Sequence, residues 1–565
     1  MAADRGTSSD ITDPQVRLGR PGDGAGPADS GPADSGPARS GPARRWLRPT
    51  GLAILLPTVL ALGLRLFTLT RPGFLTGISE YDDGVYVGAA IRLTQGALPY
   101  RDFAFVQPPG ILLLMTPAAV VAKVAGTAAA MSFARLLTVF ASTACVPLAG
   151  NLVRHRSTLV TAVTCGILAV YPDDIAAAHT LLLEPWMNML CLIAASAAFS
   201  HGMLARPARL AWAGAALGVA GAVKFWAVVP AAVLLVLCLI AGEQRARRTR
   251  ACLAGLLAGF VLLAAPFMLA APVTFIRSTL LYQASRVGTY VPVSLRLAHV
   301  TGLVDVLNGA GRLSLHSGAH SLFARSVLAG ISTASAGWLP LAVTAVLVAA
   351  IAAGYIRDRR QLDHLDWFSL ATAAGAGALI LSYSAFFYHY PAFVAPWLAL
   401  AAGRAAGGLA GSLRFQRTLA AVFAVVILGV AALQVHEVAP LRAQASAAAG
   451  RLIPRGACVV TDKIVLTIPA NRLAPLRAGC PDIVDSLATT LALSHGVSVQ
   501  GGAASSARVV AAWQAILSQA DYVWLSPENA RRIPWTHELS SWFRRNFRPA
   551  GPHGPASGQL YVRVG

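Results

Sequence analysis

Acidic side chains are scarce in this chain: 25 Asp and Glu stand against 46 Lys and Arg in 565 residues. Charged residues of both signs reach only 13%, too few to cover the surface of a soluble protein this long. Lysine occurs only as Lys123, Lys224 and Lys463, so arginine carries nearly all the positive charge. No His/Cys cluster has the spacing of a zinc site. There is no P-loop and no dinucleotide fingerprint after a strand, which argues against nucleotide-driven export. What is abundant is apolar: 55% hydrophobic residues and a mean hydropathy of +0.59, the composition of a polytopic, all-α membrane protein. The net charge of +21 would suggest a nucleic-acid partner on a soluble domain. Here the arginines fall in short runs between apolar segments, which points to membrane topology and to no nucleic acid.

Residues 1–50 repeat Gly-Pro-Ala-Asp-Ser from Gly26 and Gly31, with variants from Gly36 and Gly41. So much Pro and Gly without an apolar run predicts a disordered tail. Arg39, Arg44, Arg45 and Arg48 precede the first apolar run and should hold the N-terminus in the cytoplasm, with the first span uncleaved. Eleven spans are expected, roughly 51–69, 133–150, 157–171, 185–200, 209–222, 225–241, 251–271, 337–356, 367–385, 390–404 and 418–436. Threading them through the bilayer puts the clusters Arg154–Arg156, Arg206–Arg209, Arg245–Arg250, Arg357–Arg360 and Arg404–Arg417 all in the cytoplasm.

The apolar stretch 108–124 is short, contains Pro108, Pro109 and Pro117, and would reverse that parity if it crossed. It is expected to be interfacial or re-entrant, which makes Thr70 to about Ser132 one long outer loop against the plasma membrane. The same parity places Tyr171–Glu184, the stretch from Pro272 to Gly337 and everything after Val438 outside. Domains are therefore expected at 1–50, 51–438 and 439–565, the last a small extracytoplasmic α/β domain. Its signals are strand-like Cys458-Val-Val-Thr-Asp462 and Tyr522-Val-Trp-Leu525, with helical stretches near 505–520 and 536–546. Cys458 and Cys480 lie together in this oxidising compartment and are a candidate disulfide; the other five cysteines suit packing.

With so few carboxylates, their placement is informative. Glu80-Tyr81-Asp82-Asp83-Gly84 opens the first outer loop, and Asp173, Asp174, His179 and Glu184 gather on the same face. A solvated surface charge, a helix cap or a macrodipole partner would explain any one of them. Three acids within four positions suggest more.

The order of first span, outer acidic pair and Pro-Pro apolar segment resembles the GT-C superfamily of polyprenyl-phosphate-dependent glycosyltransferases, in the protein O-mannosyltransferase and lipid A aminoarabinose transferase branch. That branch carries Asp-Glu/Asp-x-x-Tyr and then Lys-Pro-Pro-Leu. Asp82-Asp83-Gly84-Val85-Tyr86 and Gln107-Pro108-Pro109-Gly110 stand in those places, over a likeness covering roughly residues 51–436. Glu184 corresponds to the family's second outer acid, Lys224 to a mid-chain lysine, and His389-Tyr390-Pro391 to Arg-Tyr-x-x-Pro. Val85 and Gln107 replace expected cations, so other outer cations such as Arg92, Arg101, Arg277 and Arg286 would have to meet the lipid phosphate. Arginine in place of lysine, with abundant Ala and Gly, suggests a GC-rich, actinobacterial genome.

The resemblance implies transfer of a sugar from a polyprenyl-phosphate donor to a hydroxyl of an envelope polysaccharide, glycolipid or protein. A hydroxyl needs a base in the transition state, and Asp82 is the expected base, with Asp83 and Glu80 beside it. Glu184 and His179 would assist or meet the acceptor. Lys224, Arg286, His389, Gln107 and Tyr86 would bind the donor phosphate, whose departure needs positive charge rather than an acid. A lysine that snorkels to water and an aromatic belt are the plainer explanations of Lys224 and Tyr388–Tyr390. Asp82, Asp83 and Glu184 are also a candidate set for a hard divalent cation (Mg2+, Mn2+ or Ca2+). The rival functions are a transporter or flippase for a lipid-linked precursor and a non-catalytic envelope scaffold. Transporters concentrate polar residues mid-membrane in repeated halves, whereas here they gather on one face.

Overall fold

A computed structural model describes residues 49–284, 291–302, 338–443, 447–494, 506–526, 532–551 and 558–564. The tail expected to be disordered lies outside the described residues apart from its last two positions, and Arg286 lies outside them as well. Helix α1 is Pro49–Leu69. The segment that follows carries α2 (Tyr81–Thr94), α3 (Gly110–Leu114) and α4 (Thr116–Ala125). Its prolines explain why it does not form one long helix: Pro109 stands at the N-cap of α3 and Pro117 in the first turn of α4. The stretch 108–124 folds as two short helices.

The bundle continues with α5 (Thr127–Val153), α6 (Thr158–Val170), α7 (Pro172–Ala178), α8 (Leu183–Ala198), α9 (Pro207–Val223), α10 (Val228–Ile240) and α11 (Arg245–Ala270). After α12 (Pro272–Ile276) and α13 (Val293–Val300) come α14 (Leu339–Arg357), α15 (His364–Ser382), α16 (Ala395–Leu409) and α17 (Leu413–Val438). Local chemistry starts several of them. Ser157 caps α6 by accepting from Val160 N–H (3.3 Å), and Asp363 and Asp366 form a capping box on α15.

A helix lies at each of the eleven apolar segments, but six of them are long and apolar enough to cross a membrane. A seventh arises if α6 and α7, bent by 52°, are one broken span. The others are short: α8 has 16 residues and α16 has 15, about 24 Å at 1.5 Å per residue, against a hydrocarbon core of about 30 Å.

Small residues bring α9 and α11 backbone to backbone. A Cβ added to Gly214 would lie 2.0 Å from the Cys252 carbonyl oxygen, and one on Gly255 2.0 Å from that of Ala211. Gly218 and Gly259 repeat the contact one turn on, the small-xxx-small crossing of membrane helices.

Ion pairs mark the two ends of the bundle. Arg156 meets Asp363 and Asp366 (both 2.7 Å), and Arg404 meets Asp366 (3.1 Å) and Asp358 (2.6 Å), all at the end where α6 starts. The acidic residues 173, 174 and 184 follow the other end of α6.

The C-terminal segment contains a four-stranded sheet of order β3-β4-β6-β5, after the short hairpin β1 (Phe199–Ser200) and β2 (Met203–Leu204) in the bundle. Strands β3 (Val459–Thr461) and β4 (Tyr522–Leu525) are parallel, with Val460 opposite Val523. Strands β5 (Phe547–Pro549) and β6 (Gln559–Arg563) complete it antiparallel. Helices α20 (Ala507–Leu517) and α21 (His537–Asn546) pack on it through Trp513, Leu517, Leu539 and Phe543, as the apolar spacing of those stretches predicts; α18 (Ala447–Arg451) and α19 (Ser486–Leu493) precede them. A disulfide joins Cys458 and Cys480, with Cα atoms 5.6 Å apart. The sheet packs on the bundle, within one compact unit: Ile464, Val465, Leu466 and Trp524 share one apolar core with Val85, Tyr86 and Ile111, and the Asn471 amide oxygen accepts from Ala128 N–H (2.9 Å) at the start of α5.

Candidate active site

Three consecutive side chains at the start of α2 face three different ways, because each helical residue turns the next by roughly 100°. Tyr81 enters the sheet domain, where its hydroxyl lies 2.6 Å from an Asp485 carboxylate oxygen. Asp83 turns into the bundle. Arg135 of α5 pairs with it, and its second oxygen accepts from Leu181 N–H (3.0 Å). The same guanidinium binds the carbonyls of Phe74, Leu75 and Gly77. Asp82 lies between these two in sequence and is half-buried.

Two more of the outer acids are similarly occupied. Asp174 pairs with Arg65 and accepts from the Ser142 hydroxyl (2.7 Å), and Asp173 lies 3.1 Å from His299 Nδ1. Buried charges need partners of this kind. Asp83 therefore holds the loop to the bundle and has no exposure to a substrate. His179 is likewise buried, its ring edge-on to Phe74 at 5.3 Å; burial and the nearby Arg135 lower its pKa to about 4.

Glu80, Asp82 and Glu184 remain, and they converge on Tyr388. The Tyr388 hydroxyl donates to Glu80 (3.0 Å), and the carboxylates of Glu80, Glu184 and Asp82, with burial first, push its pKa well up. Glu184, fully buried at the start of α8, has two basic neighbours: Lys224 Nζ pairs with one oxygen and His389 Nδ1 lies 2.9 Å from the other. Lys224 sits in extended conformation at the break between α9 and α10, where it is buried. Its ammonium lies 3.8 Å from the Trp226 ring centroid and 4.4 Å from that of Tyr390, so two aromatic faces share its charge with Glu184. Burial raises the pKa of Glu80, while His389, the Tyr388 hydrogen bond and Lys463 pull it back down and Asp82 adds to the rise. Acids 80, 82 and 184 thus lie near Tyr388, Lys224 and His389.

Of the residues expected from sequence, Glu80, Asp82, Glu184, Lys224 and His389 come together. Tyr86 is 2% exposed and packed edge-on against Phe105, and Gln107 uses its carbonyl to accept from the Tyr100 hydroxyl. Tyr388 and Lys463 were not expected in the site. The scarcity of lysine was the one signal for Lys463; its distance in sequence hid the rest. The candidate cation set of Asp82, Asp83 and Glu184 does not fit a metal. Asp83 is taken by Arg135 and Leu181, Glu184 by Lys224 and His389, and no group of three or more His, Cys, Asp or Glu suited to an ion exists among the described residues.

No family model matches the sequence, and no curated protein matches it. Solved structures do. ArnT from Cupriavidus metallidurans bound to undecaprenyl phosphate is 14% identical, with a TM-score of 0.55 over 90% of this chain and 97% of that one. The apo state of the same protein gives 12% and 0.53, again over 90% and 97%. The Archaeoglobus fulgidus oligosaccharyltransferase in complex with Zn and sulfate is 11% identical, with a TM-score of 0.51 over 90% of this chain and 73% of that one. At such identities the likeness is one of fold: this chain shares the fold of these structures over 90% of its length.

Proposed function

We propose that this protein is an integral membrane glycosyltransferase that moves a sugar from a polyprenyl-phosphate donor to a hydroxyl on the extracytoplasmic face. The observation that carries this reading is the meeting of Glu80, Asp82 and Glu184 with Lys224 and His389 at the end of the bundle opposite the arginine clusters. The fold it shares with an undecaprenyl-phosphate complex adds support.

Asp82 is the general base. The acceptor oxygen attacks the anomeric carbon of the sugar, its proton passes to the Asp82 carboxylate, and the carbon–oxygen bond to phosphate breaks with its electron pair on the phosphate oxygen. That leaving group is already anionic, so it needs cations rather than an acid. Lys224 and His389 supply them, and Glu184 fixes both in place. Asp83 positions α2 through Arg135, and no step passes through a metal. The charge parity supports eleven crossings, with the short helices α8 and α16 completed by their adjoining turns, the N-terminus in the cytoplasm and the sheet domain outside. The acceptor is a polysaccharide, glycolipid or protein of the envelope, and mannose and arabinofuranose are the sugars to try first.

Asp82→Asn, assayed in membranes with synthetic undecaprenyl-phosphate sugars, tests the reading. Turnover should fall by about 10²–10⁴-fold with binding of undecaprenyl phosphate retained. A flippase or a scaffold would be indifferent to the change.

A further inference from the structure

The sheet domain holds α2, the helix that carries the candidate base, along its whole length. At the N-terminal end the Tyr81 hydroxyl binds Asp485 (2.6 Å) and accepts from Leu487 N–H (3.1 Å), while the Arg532 guanidinium lies 4.5 Å over its ring. In the middle, a Cβ on Gly84 would come 2.5 Å from Val465 N and one on Gly88 2.8 Å from Ile464 Cδ1, so α2 rests directly on residues 464–465. At the C-terminal end Arg92, 2% exposed, pairs with Asp482 (2.5 Å) and donates to the Ala474 carbonyl (2.8 Å). The disulfide joins the two chain segments that do the gripping, since Cys458 precedes residues 463–465 and Cys480 precedes Asp482 and Asp485.

We propose that the C-terminal segment is a clamp for α2, the helix that carries Asp82: it fixes α2 at three points, and the Cys458–Cys480 disulfide secures the two gripping segments to each other. This mechanical inference does not depend on the glycosyltransferase reading.

One measurement on the full-length protein tests it. For the clamp, amide hydrogen exchange is compared between wild type and Cys458→Ser/Cys480→Ser. Faster exchange across Tyr81–Thr94, with Thr158–Val170 unchanged, supports the clamp. Unchanged exchange at Tyr81–Thr94, or equal acceleration in both helices, overturns it.

Discussion

Arg135 and Asp83 form an ion pair in which both side chains have 0% exposure, and the rest of the guanidinium is spent on the carbonyls of Phe74, Leu75 and Gly77. One arginine thus closes the turn between α1 and α2 and ties it to α5. Removing one partner of a buried pair leaves the other charge stranded, at a cost of about 3–5 kcal/mol. Arg135→Met is therefore expected to lower the thermal unfolding temperature of the detergent-solubilised protein sharply. Arg135→Met/Asp83→Leu should recover much of the loss. A double variant no more stable than the single one would show that the pair is not what holds this turn.

Lys224 is the cation best placed for a lipid phosphate, because Glu184 and two ring faces already hold its stem and head at the break between α9 and α10. A charged hydrogen bond contributes about 1.5–3 kcal/mol. Lys224→Gln should accordingly weaken binding of undecaprenyl phosphate by about 10–100-fold, measured by titration in detergent or nanodiscs. Equal affinity in the variant would move the phosphate away from this lysine.

Glu80 gives a pH signature. Burial, the largest influence, holds its pKa above the ordinary carboxylate value. A carboxyl with a raised folded-state pKa favours folding at acid pH, and that contribution is lost as pH rises through the raised value. Glu80→Gln keeps an acceptor for the Tyr388 hydroxyl and removes the half-buried charge. Its unfolding temperature should exceed wild type at pH 8, with the difference shrinking as pH falls toward 4. A gain that did not vary with pH would contradict a titrating Glu80. Activity is expected to fall in the same variant, so the stability gained would come at the expense of the site.

Much of the architecture was legible because hydropathy and arginine placement are local signals. The eleven apolar segments, the proline-broken stretch 108–124 and the strands around Val460 and Val523 all lie where the sequence indicates. What local pattern does not carry is which way a side chain turns and what it meets far along the chain. Asp82 and Asp83 are adjacent acids with no distinguishing neighbours, yet one is half-buried and the other is fully buried and locked to Arg135, 52 positions away. Tyr81 meets Asp485 across 404 positions. The close crossing of α9 and α11 was present in the sequence as Gly214, Gly218, Gly255 and Gly259, paired by spacing, but only the structure shows that the two pairs face each other.

The most direct measurement is a cryo-EM map of the protein with undecaprenyl phosphate bound. The account predicts phosphate density within hydrogen-bond reach (about 3 Å) of Lys224 Nζ and beside His389, with the Asp82 carboxylate facing the same space. Phosphate lodged instead at the opposite end of the bundle, among Arg156 and Arg404, would contradict it.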